Sequence, residues 1–312
     1  MDLVQMETFL AVAEERSFSR AAARLHRTQP AVSQAIAKLE GELGEVLFER
    51  TSRDGTLTDA GGVLKEYAAK LLNLRTEAVG ALSELRELHR GRLTLAANEY
   101  TCLYLLPVLD RFRREHPGIK LTVQRTLASR IADEVLMHSV ELGVLSFRPE
   151  DAQVKSVVVY RDELALVVHP RHPLAQAKTL AIRELGGENF VAHNIPSPQR
   201  QKVIQAFRRH KTPLKMGVEL PSIEAIKRFV ELGNDVALVP ALTVQTELAS
   251  GALVRVRVPE LQMERKLRLA YRRHATLSHA ARAFLKVVEI YAGAHGDPYC
   301  FQEDRGAAAV GG

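Results

Sequence analysis

Apolar residues near the N-terminus recur at helical spacing in two stretches separated by a polar break. Phe18, Ala21, Ala22 and Leu25 would form the inner face of a short helix, with Ser17 and Ser19 as candidate caps. His26, Arg27 and Thr28 interrupt the pattern. Val32, Ile36, Leu39 and Leu43 then repeat at three- and four-residue intervals, which predicts a second helix over 29–43. Thr28 is placed to cap it, and Pro30 is tolerated in its first turn because the leading N–H groups of a helix have no internal partner. Gly44 suits its C-terminal end. Val46, Leu47 and Phe48 lead into a hairpin predicted over 49–52 and 56–58, with its turn at Arg53, Asp54 and Gly55.

Between 59 and 89 the pattern becomes one long amphipathic helix. Leu64, Tyr67, Leu71, Leu74, Ala78, Ala81, Leu85 and Leu88 fall alternately three and four residues apart, the a/d seam of a coiled coil. Such a stripe either packs on its own chain or joins two copies. From Arg92 onward, strands (92–97, 120–125, 142–147) alternate with helices (103–115, 131–138). Two adjacent β-rich runs follow at 155–160 and 163–169. A second alternating set then places strands at 189–192, 215–220 and 235–239 with helices at 199–210, 223–232 and 242–248. Strands at 253–258 and 267–271 and a helix at 278–292 close the pattern. The expected fold class is α/β, with βαβ units and parallel sheets behind an α-rich N-terminal domain. The domain boundaries expected are 1–58, a linker helix 59–90, a two-lobed domain 91–293, and a disordered Gly/Ala-rich tail 294–312. The first lobe would comprise 91–162 and 267–293, and the second 163–266.

Two helices, a turn and a basic hairpin in register match the geometry of a winged helix-turn-helix, in which the start of the second helix meets base edges. The outer face there carries Thr28, Gln29, Pro30, Ser33, Gln34 and Lys38. Gln can pair with adenine, while Ser and Lys more often hold phosphate or guanine. Arg50 and Arg53 on the hairpin would reach the backbone or minor groove. From Arg16 to Leu39 there are five basic residues and no acid, yet residues 1–62 hold seven basic against ten acidic residues. Double-stranded DNA binding would therefore rest on one positive face and not on net charge. The competing reading is a small helical domain with solvated Ser and Gln side chains.

In the two-lobed region, ligands of open α/β sheets sit beyond the strand C-termini, facing helix N-termini that favour anions. Asn98, Thr101 and Cys102 follow the first strand, Ser129 precedes the second helix, and Ser146 ends the third strand. His193, Ser197 and Ser222 occupy equivalent places in the second lobe. Ser and Thr before helices also cap them whether or not a ligand exists. Arg130, Arg148 and Arg200 point to an anionic small-molecule effector.

The N-terminal segment resembles that of LysR-type transcriptional regulators. The resemblance is carried by Phe9, Ser17-Phe18, Ala21-Ala22, Leu25, Gln29-Pro30-Ala31-Val32-Ser33, Leu39-Glu40, Leu43-Gly44, Leu47-Phe48, Arg50, Leu57-Thr58 and Ala60-Gly61. It covers residues 1 to about 65 strongly and, through the order of elements, extends to about residue 292. It implies DNA contacts at Gln29, Pro30, Ser33, Gln34 and Arg53. It also implies dimerisation through the linker helix, a homodimer or a homotetramer built from dimers, and a periplasmic-binding-protein-like effector domain. RNA polymerase is a further partner to consider. Two departures are visible: position 34, often Arg in the family, is Gln here, and Glu141-Leu142-Gly143-Val144 stands where Asp-Leu-Ala-Ile is common.

A chain of 312 residues suggests two or three domains, and its 46% hydrophobic and 26% charged residues fit globular cores. No apolar run approaches the roughly 20 residues of a membrane span, and the polar start Met1-Asp2-Leu3-Val4-Gln5-Met6-Glu7 is unlike a signal peptide. Cys102 and Cys300, far apart, form neither a disulfide framework nor a zinc site, so a cytoplasmic protein without metal or cofactor is expected. A thiol opening a helix also fits a redox sensor, and some regulators of the resembling family use a cysteine pair. His169 and His172 have no spacing that fixes them as ligands. The sequence therefore points to a transcription regulator with a small-molecule effector. A ligand-independent DNA-binding factor remains an alternative, and an enzyme with an appended DNA-binding domain is disfavoured because no acid, base or nucleophile constellation emerges.

Overall fold

The computed structural model describes residues 1–49, 55–86, 91–195, 197–233 and 235–294. They divide into two compact units: Met1–Gly91 with Asp133–Val140, and Arg92–Ala132 with Glu141 onward. The first unit opens with α1 (Leu3–Glu15), held by a capping box in which the Asp2 carboxylate accepts the Gln5 amide at 2.8 Å and the Gln5 side chain accepts the Asp2 amide at 2.7 Å. No helix was expected there from periodicity. The reason is physical: the inner face includes polar Gln5 and Thr8, both buried, while Leu3 and Val4 are exposed. The Thr8 hydroxyl is satisfied within the helix, donating to the Val4 carbonyl at 2.7 Å.

Two short helices follow, α2 (Phe18–Arg24) and α3 (Gln29–Leu43). Ser17 caps the first and Thr28 the second, and Gly44 ends α3 in the left-handed region at φ 74° with its amide on the Glu40 carbonyl. Val32, Ile36 and Leu39 of α3 pack with Met6, Phe9, Val12, Ala21 and Ala22 into one core. Phe48 lies against Phe9 and Phe18, each at 5.4 Å between ring centroids. The hairpin base is present, with Phe48 bridged to Leu57 and the Glu49 amide on the Thr56 carbonyl at 2.9 Å. Residues 50–54, with the expected turn, Arg50 and Arg53, lie outside the described residues.

The long helix α4 (Asp59–Arg86) has two distinct faces. Ala68 is fully buried in the first unit's core, with Leu64 and Leu72 packed against it. Tyr67, Leu71 and Leu74 are exposed, at 60%, 40% and 48%. Leu64, half-buried, packs in part on its own chain. Leu88 and the side chain of Leu85 lie outside the described residues.

The second unit contains two sheets joined through one shared strand. In chain order its elements are β1 (Gly91–Ala97), α5 (Glu99–Glu115), β2 (Ile119–Arg125), β3 (Leu142–Leu145) and β4 (Val154–Val168), while α6 (Ile131–Leu136), between β2 and β3 in the chain, falls mostly within Asp133–Val140 of the first unit. These are followed by β5 (Asn189–His193), α7 (Pro198–Arg209), β6 (Lys215–Leu220), α8 (Ile223–Val230), β7 (Val236–Pro240) and α9 (Gln245–Ser250). The set ends with β8 (Val254–Val256), β9 (Glu264–Arg272) and α10 (His279–Ala294). Strands run in the order β2-β1-β3-β9-β4-β7-β5-β6, with β8 beside β4.

The parallel pairing expected of βαβ units is present, within a mixed arrangement of strands. β1–β3, β5–β6 and β5–β7 are parallel, whereas β9 is antiparallel to both β3 and β4, and β4 is antiparallel to β7. The two adjacent strands expected at 155–160 and 163–169 are one strand, β4, with a register shift between Val158 and Tyr160. Its first part, Val154 to Glu163, pairs with β9, and from Leu164 it pairs with β7. That change of partner separates two lobes with separate cores: Phe112, Leu142, Leu269 and Phe284 in the first, Phe190, Phe207, Val236 and Ile226 in the second.

Gly61 marks a close approach that permits no side chain. A Cβ there would stand 2.2 Å from the Leu47 carbonyl oxygen and 2.9 Å from Leu57 Cδ2. Gly61→Ala is expected to destabilise the first unit by about 2 kcal/mol or more. Gly62→Ala, with nothing within 4 Å of the added carbon, should instead be neutral or stabilising by up to about 1 kcal/mol. Denaturant midpoints followed by far-UV circular dichroism compare the two.

Candidate functional site

In the first unit, α3 is anchored by fully buried Val32, Ile36 and Leu39, so the opposite side of its first turn faces outward. Thr28, Gln29, Pro30, Gln34 and Lys38 are exposed there, and Ser33 is partly so. The Gln29 Nε2 donates to the Ser33 hydroxyl at 2.9 Å, tying two candidate base-reading side chains together. Thr28 is engaged by its own helix, its hydroxyl accepting the Ala31 amide at 3.4 Å. Lys38 lies 4.0 Å from Glu42 across one helical turn.

Charge around the reader helix is not distributed as counting alone implied. Arg24 pairs with Glu14 at 2.6 Å and Glu15 at 3.3 Å, and Arg20 pairs with Glu15 at 3.8 Å. Two of the five cations between Arg16 and Leu39 thus tie α2 back to α1. All five remain exposed, Arg20 and Arg24 included, and exposed cations are the ones able to meet phosphate.

The second unit encloses a cavity of about 1000 Å³ between its lobes, at the upper end of small-molecule sites. Its wall comes from the C-terminal ends of β1, β2, β3, β5 and β7, from the start of α5 and α7, and from β4 and β9. Among the expected effector residues, Asn98, Ser129, Ser146, His193 and Ser197 line it, and Thr101, Cys102 and Ser222 do not. Thr101 is buried in a capping box with Asn98, accepting its amide at 3.0 Å, and this box starts α5 at Glu99 instead of the expected residue 103. The Ser222 hydroxyl accepts the Ala225 amide at 3.1 Å and caps α8. Burial pushes the Cys102 thiol up, against the thiolate a redox sensor needs, and Cys300 lies outside the described residues.

Cations outnumber carboxylates around the cavity: Arg125, Arg148, Arg200, Lys202, Arg265, Lys266 and Arg268 against Glu99 and Glu264. Of the arginines singled out in the sequence, Arg148 and Arg200 line the wall and Arg130 does not. Arg200 is already engaged, pairing with Glu219 and donating to the His193 carbonyl at 2.9 Å. The contribution of β9 was missed because the expected strand began at 267, past Arg265 and Lys266. The run Glu264-Arg265-Lys266 is wholly charged and shows no strand alternation, so no local signal extended the strand to Arg265. His193 Nδ1 accepts the Ile195 amide at 3.1 Å. Its imidazole is held below the usual range by burial, with Arg125 and Arg200 acting the same way and Glu99 opposing.

A winged helix-turn-helix core joined in one chain to a two-lobed α/β unit with an interlobe cavity defines a ligand-responsive DNA-binding regulator as a class. Residues 3–62 match the model for bacterial regulatory helix-turn-helix proteins of the lysR family. Residues 86–291 match the LysR substrate-binding domain. The chain belongs to the LysR family of transcriptional regulators. It is 30% identical to the RuBisCO operon transcriptional regulator of Allochromatium vinosum over 92% of this chain and 95% of that protein. In structure it resembles full-length CbnR complexed with its target DNA, with a TM-score of 0.71 and 22% identity, covering 92% of this chain and 99% of that one. The regulatory domain of Synechocystis CcmR in complex with 2-PG aligns with a TM-score of 0.60 and 24% identity, over 64% of this chain and 97% of that one.

A depressed His193 has a definite sign for stability. The unfolded chain takes up a proton near pH 6.5 that the folded site resists, so the contribution is complete above that value and is lost progressively as pH falls from it through the lower folded value. Between about pH 7.5 and pH 5.5, the thermal midpoint should fall further in the parent than in His193→Asn. Equal falls would separate His193 from the acid sensitivity.

Proposed function

We propose that the chain is a homo-oligomeric transcription factor that reads a two-fold promoter site with α3 and answers to an anionic small molecule in its interlobe cavity. The observation that carries this reading is the first turn of α3, where Gln29, Pro30 and Gln34 stand outward on a helix fixed from behind by Val32, Ile36 and Leu39. Gln29, Ser33 and Gln34 are the base-reading side chains, Thr28 and Lys38 lie beside the phosphates, and Arg50 and Arg53 supply the wing contacts.

One helix-turn-helix covers one half-site, so a second copy is needed for a two-fold site. The exposed stripe of Tyr67, Leu71 and Leu74 on α4 is the surface proposed to join them. The excess of cations around the cavity favours an anionic ligand, and the 2-PG complex of the CcmR regulatory domain supports a small-molecule site in this type of domain. Ligand binding would shift the population of lobe and subunit arrangements, and so the way two reader helices sit on DNA. RNA polymerase is the further partner this role implies. The role is regulatory and not enzymatic: His193 and Ser197 in the cavity wall are engaged by backbone amides of Ile195 and Arg200. Among the described residues no helix is long and apolar enough to cross a membrane, which accords with work in the cytoplasm.

Footprinting with the purified protein should reveal a symmetric protected stretch in promoter DNA, and its absence would remove the DNA-reading role. Gln29→Ala and Ser33→Ala should each weaken specific binding by about 1–3 kcal/mol. Because the two side chains are bonded to each other, the double variant should lose less than the sum. Leu71→Asp should dissociate the dimer at low concentration in analytical ultracentrifugation, and an unchanged mass would leave the stripe unpartnered.

A further inference from the structure

Asp162 and Arg265 are direct cross-strand partners on β4 and β9, beside the point where β4 leaves β9 for β7. Their side chains are almost fully enclosed, 2% and 4% exposed. The closest approach is Arg265 Nη1 to Asp162 Oδ2, 3.6 Å, which is too long for a hydrogen bond. Asp162 Oδ1 accepts the Leu242 amide at 3.2 Å, while Oδ2 and Arg265 Nε make no hydrogen bond to any described residue. The guanidinium sits 4.6 Å from the centre of the Tyr100 ring. Both residues border the interlobe cavity, Tyr100 from the first turn of α5.

A buried guanidinium without a hydrogen-bonded anion is costly, because taking it from water is offset only when its donors are satisfied. Arg265 stands in a cavity wall rich in cations, next to helix-terminal amides that have no partner within the helix. We propose that Arg265 is the anion-reading residue of the cavity, and that a carboxylate or phosphoryl group of the ligand takes its guanidinium in exchange for Asp162. This rests on the cavity being the ligand site. The ligand class is a small oxyanion able to engage two N–H groups of one guanidinium side by side. Asp162 is a weak resident competitor: burial pushes its carboxyl up, with Arg265 opposing. Since the pair lies where the strands change partners, the exchange occurs at the hinge between the lobes, where it can bias their closure.

Isothermal titration of the full chain with malonate, phosphonoacetate and uncharged malonamide tests this. The anions should bind the parent and malonamide should not. Asp162→Asn, which removes the resident anion, should tighten anion binding by about three-fold or more. Asp162→Asn combined with Arg265→Gln, a pair without net charge that can still hydrogen-bond, should weaken it by about ten-fold or more. Parental affinity in the double variant would overturn the assignment. Weaker binding in Asp162→Asn alone would make Asp162 a support for Arg265 and overturn the exchange. A parent that binds none of the anions yet still protects a symmetric promoter site would remove the role of Arg265 and leave the DNA reading standing. A parent that binds anions through Arg265 but protects no DNA would have the opposite consequence.

Discussion

The pairing of β4 with β9 is the constraint on which the second unit depends. Nine residue pairs, from Val154 with Arg272 to Glu163 with Glu264, zip two strands that approach from distant parts of the chain. Once β4 passes Glu163 it takes β7 instead, and one strand serves two lobes. With both lobes hung from the same strands, the C-terminal ends of β1, β2 and β3 contribute to one cavity with those of β5 and β7. Antiparallel pairing with β9 at this place also sets Asp162 opposite Arg265, so the charged pair follows directly from register.

The first unit solves a different problem, holding one helix so that its outer face is defined. Buried Val32, Ile36 and Leu39 fix the rotation of α3, while Thr28 and Gly44 fix its ends. The absence of any room at Gly61 locks the hairpin base against the start of α4. Electrostatics refines this arrangement. Arg20 and Arg24 hold α2 to α1 through Glu14 and Glu15 while staying exposed, so part of the positive charge on this face is offset by neighbouring carboxylates. Such exposed pairs contribute little to stability, and their larger effect is on the charge this face presents.

Much of the architecture was legible because its signals are local. The bounds of α3 and β6 follow from periodicity, caps and turn residues within the segments themselves, and they agree with the structure residue for residue. Where a segment mixes signals, local reading fails. Buried Gln5 and Thr8 hid α1, and the Asn98 and Thr101 box lengthened α5 beyond its apolar pattern. The candidate ligand residues show the same limit from another side. Asn98 and Ser197 cap helices and also line the cavity, whereas Thr101 and Ser222 only cap. A hydroxyl before a helix looks the same in both cases.

Sequence alone determined the alternation of strands and helices after residue 91, the helix pair with its outward first turn, and the family to which the chain belongs, because each depends on residues close together along the chain. Tertiary structure decided which face of α4 serves its own core, which strands run antiparallel, and which cations gather around the cavity. These depend on contacts between residues as far apart as Tyr100 and Arg265. Spacing along a chain carries no information about such a meeting; only the register of paired strands and the packing of helices upon them can bring it about.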